Sequence, residues 1–244
     1  MEGIFAKFEP RAYPFRFAGR IHVDLLAGGT PSDPNVAEAW IRSRGMKDGF
    51  KAKMLADAVE EVMRERGVST DEAVSEVARN RHLSGFKRDP TRGLYYEGRQ
   101  LKAALKEAGS VSADAGKIKP RGYGETNSRK GIISFLAERV FVIEGPLYLQ
   151  TDNGDPIMEP TEINQSFVHT FRGSGIQYTE VVHDCEFDFT VETDHKFTEQ
   201  EWAMLWLTAQ REGIGAMRSQ GYGRFTLIKW DAVNAKGALK AVAA

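Results

Sequence analysis

"MLWLTAQREGIGAMRSQGYGRFTLI", Met204 to Ile228, joins a helix-like run to a strand-like run through four glycines set in two Gly-hydrophobic-Gly clasps. Trp202, Leu205, Trp206 and Ala209 recur at helical spacing, and Thr198 and Glu201 stand in capping-box spacing ahead of them. Gly213 is a natural stop, and "RFTLIKWDAV" closes the stretch as a strand. A dinucleotide-binding loop or a P-loop follows a strand and opens a helix, so the order here is reversed. The GxGxxG pattern is also unmatched and GK[ST] is absent, which disfavours nucleotide binding of either kind and predicts no cofactor. Glycines remain useful in two ways: they reach φ > 0, and they let a ligand approach exposed N–H groups. Arg218 and Arg224 would add charge for phosphates and Tyr222 a face for stacking a base. The competing reading is a tight connection whose glycines only solve backbone geometry.

Upstream, "AYPFRFAGRIHVDLL" alternates as a half-buried strand, broken by "AGGTPSDPN". Asp33 and Pro34 can start a helix that runs on to Gly45. From Asp48 the apolar positions Met54, Leu55, Ala58, Val59, Val62 and Met63 predict a helix ending near Gly67. A second helix restarts at the capping box Ser69–Glu72 and carries Ala73, Val74, Val77 and Ala78 inward. "GLYYEGRQLKAALKEAGS" reads as strand, turn at Gly98, then amphipathic helix, and residues 111–131, cationic and without periodicity, as a mobile loop. "ISFLAERVFVIEGPLYLQ" and "VVHDCEFDFTVET" read as strands, and "NQSFVHTFRGSGIQYTE" as a hairpin turning at "RGSG". Strands joined by hairpins and separated by helices predict an α+β fold with helices on one face of an antiparallel sheet.

With helix, loop and strand in that order, the opening stretch resembles the C-terminal signature of the CRISPR-associated RAMP superfamily, GhGxxxxxGhG with h hydrophobic. Gly213, Ile214, Gly215, five residues, Gly221, Tyr222 and Gly223 match it position by position. Two further stretches are similar to the subunits that form the repeated backbone of effector complexes. "VDLLAGGTPSD" resembles their strand-to-glycine-loop, and "YYEGRQLKAALKEA" their helix-opening motif, with Gly98, Leu101, Lys102 and Leu105 in place. The proline and serines of that second motif are replaced by Glu97, Arg99 and Gln100. The resemblance covers residues 13–30 and 94–230 and leaves the helices of 36–82 without a counterpart.

It implies one domain over residues 1–244: a ferredoxin-like, RRM-related core with a helical insertion at about 36–90 and a β-hairpin thumb. It further implies a ribonucleoprotein subunit of antiviral defence that binds guide RNA, or another single-stranded nucleic acid, and stacks with further copies of itself and other effector subunits. The hairpin candidate is "FVHTFRGSGIQYTEVV", which includes Arg172. A second RNA-facing loop would use Lys117, Lys119, Arg121, Arg129 and Lys130, although a solvated surface loop accounts for those charges as well. Binding rather than catalysis is the expected role. Some relatives cleave RNA with an aspartate after the first strand, where Asp33 stands, but Asp33 also suits a helix cap. Guide-processing relatives use a histidine, for which His22 is the nearest candidate. Two alternatives stay open: an endoribonuclease processing guide RNA, and an assembly protein that kept the fold without nucleic acid.

Composition bounds these readings. The 244 residues can bury a core without staples, and 33 Lys+Arg against 34 Asp+Glu exclude an indiscriminate polycationic binder, so any anion site must be local. The single cysteine, Cys185, rules out an internal disulfide and a cysteine-rich zinc cluster, and no HxxxH spacing exists, so no metal is expected. No apolar run reaches the roughly 18 residues of a membrane span, and the N-terminus lacks a signal-peptide stretch; a cytoplasmic protein is expected.

Overall fold

The computed structural model describes residues 13–31, 48–114, 129–170 and 173–233. The chain divides into two compact units, one of residues 1–26, 96–156 and 184–244, the other of residues 27–95 and 157–183. Among the described residues no helix is long and apolar enough to cross a membrane.

The first unit is built on β1 (Phe15–Ala27, whose last residue falls in the second unit), α3 (Gly98–Asp114), α4 (Arg129–Arg139) and β6 (Val140–Val142). It is completed by β7 (Pro146–Tyr148), the second half of β9 (Gly173–Thr193), α5 (Glu199–Glu212) and β10 (Phe225–Val233). Its sheet order is β10-β1-β9, with β6 also paired to β9 antiparallel through Val140↔Thr193 to Val142↔Val191. β1 meets β10 antiparallel from Arg16↔Val233 to Val23↔Phe225, with a register shift at Arg20/Ile21. In chain order this is strand, helices, strand, strand, helix, strand, with the last strand beside the first: the βαββαβ arrangement of a ferredoxin-like fold.

Period-two alternation decides which face is buried. Gly19, Ile21 and Val23 of β1, and Cys185, Phe187, Phe189 and Val191 of β9, point into the core. There they meet Trp202, Leu205, Trp206 and Ala209 of α5. Phe189 lies 5.4 Å from Trp206, and Trp230 of β10 contacts Trp202 and Trp206 edge-on at 5.0 Å each. Burying each such ring contributes roughly 1.5–3 kcal/mol. α3 packs on α4 and α5, with Lys102 Nζ donating to the Ala137 carbonyl at 2.7 Å and Ser112 hydrogen-bonded to Thr208 at 2.8 Å. Burial, with Lys106 nearby, holds the Lys102 ammonium below its usual range. Burial pushes the Cys185 thiol up to about 12. Cys185 is therefore expected to resist thiol reagents at mildly alkaline pH in the native protein and to react fully in denaturant; rapid native labelling would show that this strand opens.

The other face of β1 and β9 is a charged ladder. Arg16 pairs with Glu192, and Arg20 holds Asp188 with two hydrogen bonds of 2.7 and 2.8 Å. His22, Asp24, Asp184 and Glu186 complete it. On this face β1 and the second half of β9 present, among the described residues, no Phe, Tyr or Trp and only the carboxylate-flanked His22 ring, so the topology agrees with that class while the platform chemistry differs.

The second unit holds α1 (Asp48–Arg66), α2 (Thr70–His82), β2 (Thr30–Pro31), β3 (Leu83–Gly85), β4 (Lys87–Asp89), β5 (Gly93–Glu97, its last two residues in the first unit), β8 (Glu162–Thr170) and the start of β9. α1 ends at Gly67, φ 64, and α2 opens with the expected reciprocal capping box between Ser69 and Glu72. Val59, Ala73 and Val77 make a small core with Ala58, Val62, Met63 and Val68 around it. The expected hairpin is present: β8 and β9 pair antiparallel from Glu162↔Val181 to Thr170↔Gly173. β3 pairs parallel to β9 at Leu83↔Tyr178, and β2 antiparallel to β3. Beneath β4, the buried carboxylate of Glu180 accepts from the Phe86 N–H at 3.0 Å and from Arg88 Nη2 at 2.7 Å, which satisfies a charge that would otherwise destabilise the unit.

The α+β class stands as expected, and three sequence expectations are corrected. Val74 of α2, expected to face inward, is exposed, while Ala73 and Val77 form the buried stripe. "ISFLAER" is helix α4, not strand: Ile132, Phe135 and Leu136 are buried at i, i+3 and i+4, a helical stripe that the β-branched residues around it disguise. The stretch 111–131, expected as a loop, is helical at both ends, with α3 running to Asp114 and α4 beginning at Arg129; residues 115–128 lie outside the described residues.

Candidate nucleic-acid interface

The loop from Gly213 to Arg224 leaves α5 at Gly213, which takes φ 77 and donates its N–H back to the Ala209 carbonyl at 2.8 Å. Gly215, Gly221 and Gly223 also sit at positive φ, 77, 92 and 73, as does Met217 at 56. A short 3-10 turn, Arg218–Gln220, crosses the middle and is closed by hydrogen bonds from Gln220 to Met217 and from Gly221 to Arg218.

The two clasps lock onto each other. Ile214 is buried, and its N–H donates to the Gly223 carbonyl at 2.8 Å, while the Gly223 N–H donates to the Leu25 carbonyl of β1 at 2.7 Å. A Cβ on Gly223 would overlap the Ile214 carbonyl, and one on Gly213 would stand 3.0 Å from the Gly223 backbone. These two glycines therefore serve the loop's own closure. Gly221 differs: it is exposed, and a Cβ there would meet nothing within 4 Å.

Side chains from elsewhere in the unit brace the loop. The Gly215 N–H donates to Tyr96 Oη at 3.2 Å, and burial pushes that phenol up to about 12. Arg218 Nη1 donates to Glu107 Oε2 of α3 at 2.7 Å, so its charge is already partnered. Arg224 is exposed at the exit into β10, and Tyr222 is half-buried beside it. Neither Tyr96 nor Glu107 could be found from sequence, because nothing local marks a residue more than a hundred positions away as a loop partner.

Seven of the expected site residues thus fall on one loop: Gly213, Gly215, Arg218, Gly221, Tyr222, Gly223 and Arg224. Lys117, Lys119, Arg121, Arg172 and Asp33 lie outside the described residues, while Arg129 and Lys130 fall in the first turn of α4, their side chains undescribed. His22 lies on the charged face of β1, its Nε2 3.2 Å from Asp24 Oδ1 and its Nδ1 3.6 Å from Glu186 Oε1.

No known protein-family profile matches the chain, and no curated protein matches it. Among solved structures it is similar to a chain of the cryo-EM structure of the Type III-B Cmr-beta bound to cognate target RNA, with 11% identity and a TM-score of 0.40. That match covers 91% of this chain and 61% of the other, so the chain spans about three fifths of the length of the solved chain it matches.

Proposed function

We propose that this chain is an RNA-binding backbone subunit of a CRISPR-type ribonucleoprotein, one copy stacking on the next along a guide RNA. The observation that carries the reading is the loop itself: a helix, two interlocked Gly-hydrophobic-Gly clasps at the signature spacing, and a strand, set on a ferredoxin-like unit. Two interlocked clasps present the intervening residues as a fixed ledge, and a fixed ledge suits a ligand whose backbone must pass close by. Arg224 would meet a phosphate, and exposed Gly221 would permit close approach. Arg218 would contribute only by exchanging Glu107 for a phosphate, so its share of the affinity is smaller than its charge suggests. The β8–β9 hairpin would serve as the thumb.

Native mass spectrometry with single-stranded RNAs of three lengths tests stacking. Protein copies per RNA should rise in proportion to length, and the recovered RNA should be intact. One copy per RNA at every length would contradict the backbone role, and cleaved RNA would favour the nuclease alternative.

A further inference from the structure

We propose that His22, Asp24 and Asp184 bind one first-row divalent cation, Mn²⁺ or Zn²⁺, with Glu186 orienting the imidazole. His22 and Asp24 stand two apart on β1 and so share a face, and β9 is the neighbouring strand that brings Asp184 to them. One ligand atom from each of the three residues lies within 4.8 Å of the other two, close enough that small rotations of the exposed Asp24 and Asp184 side chains would bring all three onto one ion. Asp24 and Asp184 are exposed, which leaves coordination positions open to water.

Glu186 is the fourth carboxylate of the face's ladder on β9, 8% exposed, and its Oε1 faces His22 Nδ1 at 3.6 Å. Nε2 is hydrogen-bonded to Asp24 Oδ1 at 3.2 Å; a cation taking the place of the shared proton would leave the remaining ring proton on Nδ1, facing Glu186, the carboxylate–histidine–metal arrangement that raises ligand basicity. Arg20 comes no closer to Glu186 than 3.6 Å because its hydrogen bonds go to Asp188, and among the described residues no arginine or lysine pairs with Asp24 or Asp184. Three carboxylates therefore crowd one imidazole with little cationic relief. An imidazole among carboxylates suits Mn²⁺ or Zn²⁺ better than Mg²⁺ or Ca²⁺, which prefer oxygen alone.

The site adjoins the glycine loop, since Val23 pairs with Phe225 and the Gly223 N–H reaches the Leu25 carbonyl. A bound dication would offset two of the three negative charges beside that loop and ease the approach of a phosphate. This consequence rests on the RNA-binding reading; the cation site does not, and it is tested without RNA.

The full chain, stripped of metal, is titrated with MnCl₂, ZnCl₂ and MgCl₂ by calorimetry, and Mn²⁺ broadening of the histidine ring resonances is followed by NMR. One Mn²⁺ or Zn²⁺ per chain is expected, with the His22 resonance broadened before that of His183, whose own neighbour is Glu162. Asp24→Asn with Asp184→Asn should weaken binding at least tenfold without lowering the metal-free melting midpoint, as both side chains are exposed and their neutralisation relieves like-charge crowding. Glu186→Gln should weaken it roughly tenfold, the scale of outer-shell substitutions. Unchanged affinity in the double variant, His183 broadening first, or no binding of Mn²⁺ or Zn²⁺ would each overturn the proposal.

Discussion

Replacing Gly223 by alanine is expected to destabilise the protein by at least about 4 kcal/mol, an effect reached only by severe mechanisms such as steric overlap at a special backbone geometry. The added Cβ meets the Ile214 carbonyl, and φ 73 is a conformation that L-residues rarely adopt. Relief would require the clasps to separate, which breaks the Ile214–Gly223 hydrogen bond and draws buried Ile214 from its site. Gly221→Ala is the internal control. It keeps the unfavourable φ of 92 but meets no neighbour, so it should cost only about 1–2 kcal/mol. Gly213→Ala, with backbone atoms at 3.0 Å, should fall between the two. Urea unfolding of the three variants ranks them, and a ranking with Gly221 first would mean that the clasps do not hold each other.

That ranking also separates fold from function within the loop. Loss of RNA binding in Gly223→Ala would say little, because the loop's shape goes with it. Gly221→Ala leaves the clasps in place and adds one methyl where a ligand backbone would pass. Its expected phenotype is weakened RNA binding out of proportion to its loss of stability.

Much of this was legible in the sequence where the information is local. The capping boxes at Ser69 and Thr198, the stop at Gly213, the hairpin of β8 and β9, and the strand nature of β1 and β10 all follow from spacing and turn chemistry. The failure at α4 has the same origin. Ile132, Ile133, Phe135 and Leu136 satisfy a strand's composition, and only packing on α3 decides for the helix. The loop's residues were readable as a motif, but its bracing was not: Tyr96, Glu107 and Leu25 arrive from other elements by tertiary folding. The cluster of His22, Asp24 and Asp184 was hidden for that reason too. Its members follow no metal-ligand spacing and meet only because β1 lies beside β9.

On the proposed function, the glycine loop contacts the phosphates of single-stranded RNA. The most direct test is the salt dependence of RNA affinity, measured by fluorescence anisotropy for the wild type and for Arg218→Ala/Arg224→Ala. Each neutralised phosphate releases counterions, so log affinity should fall linearly with log salt. The double variant should bind more weakly, with a slope shallower by about 0.7 for every phosphate it no longer neutralises. An unchanged slope and affinity in the double variant, or no binding by the wild type at low salt, would contradict the account.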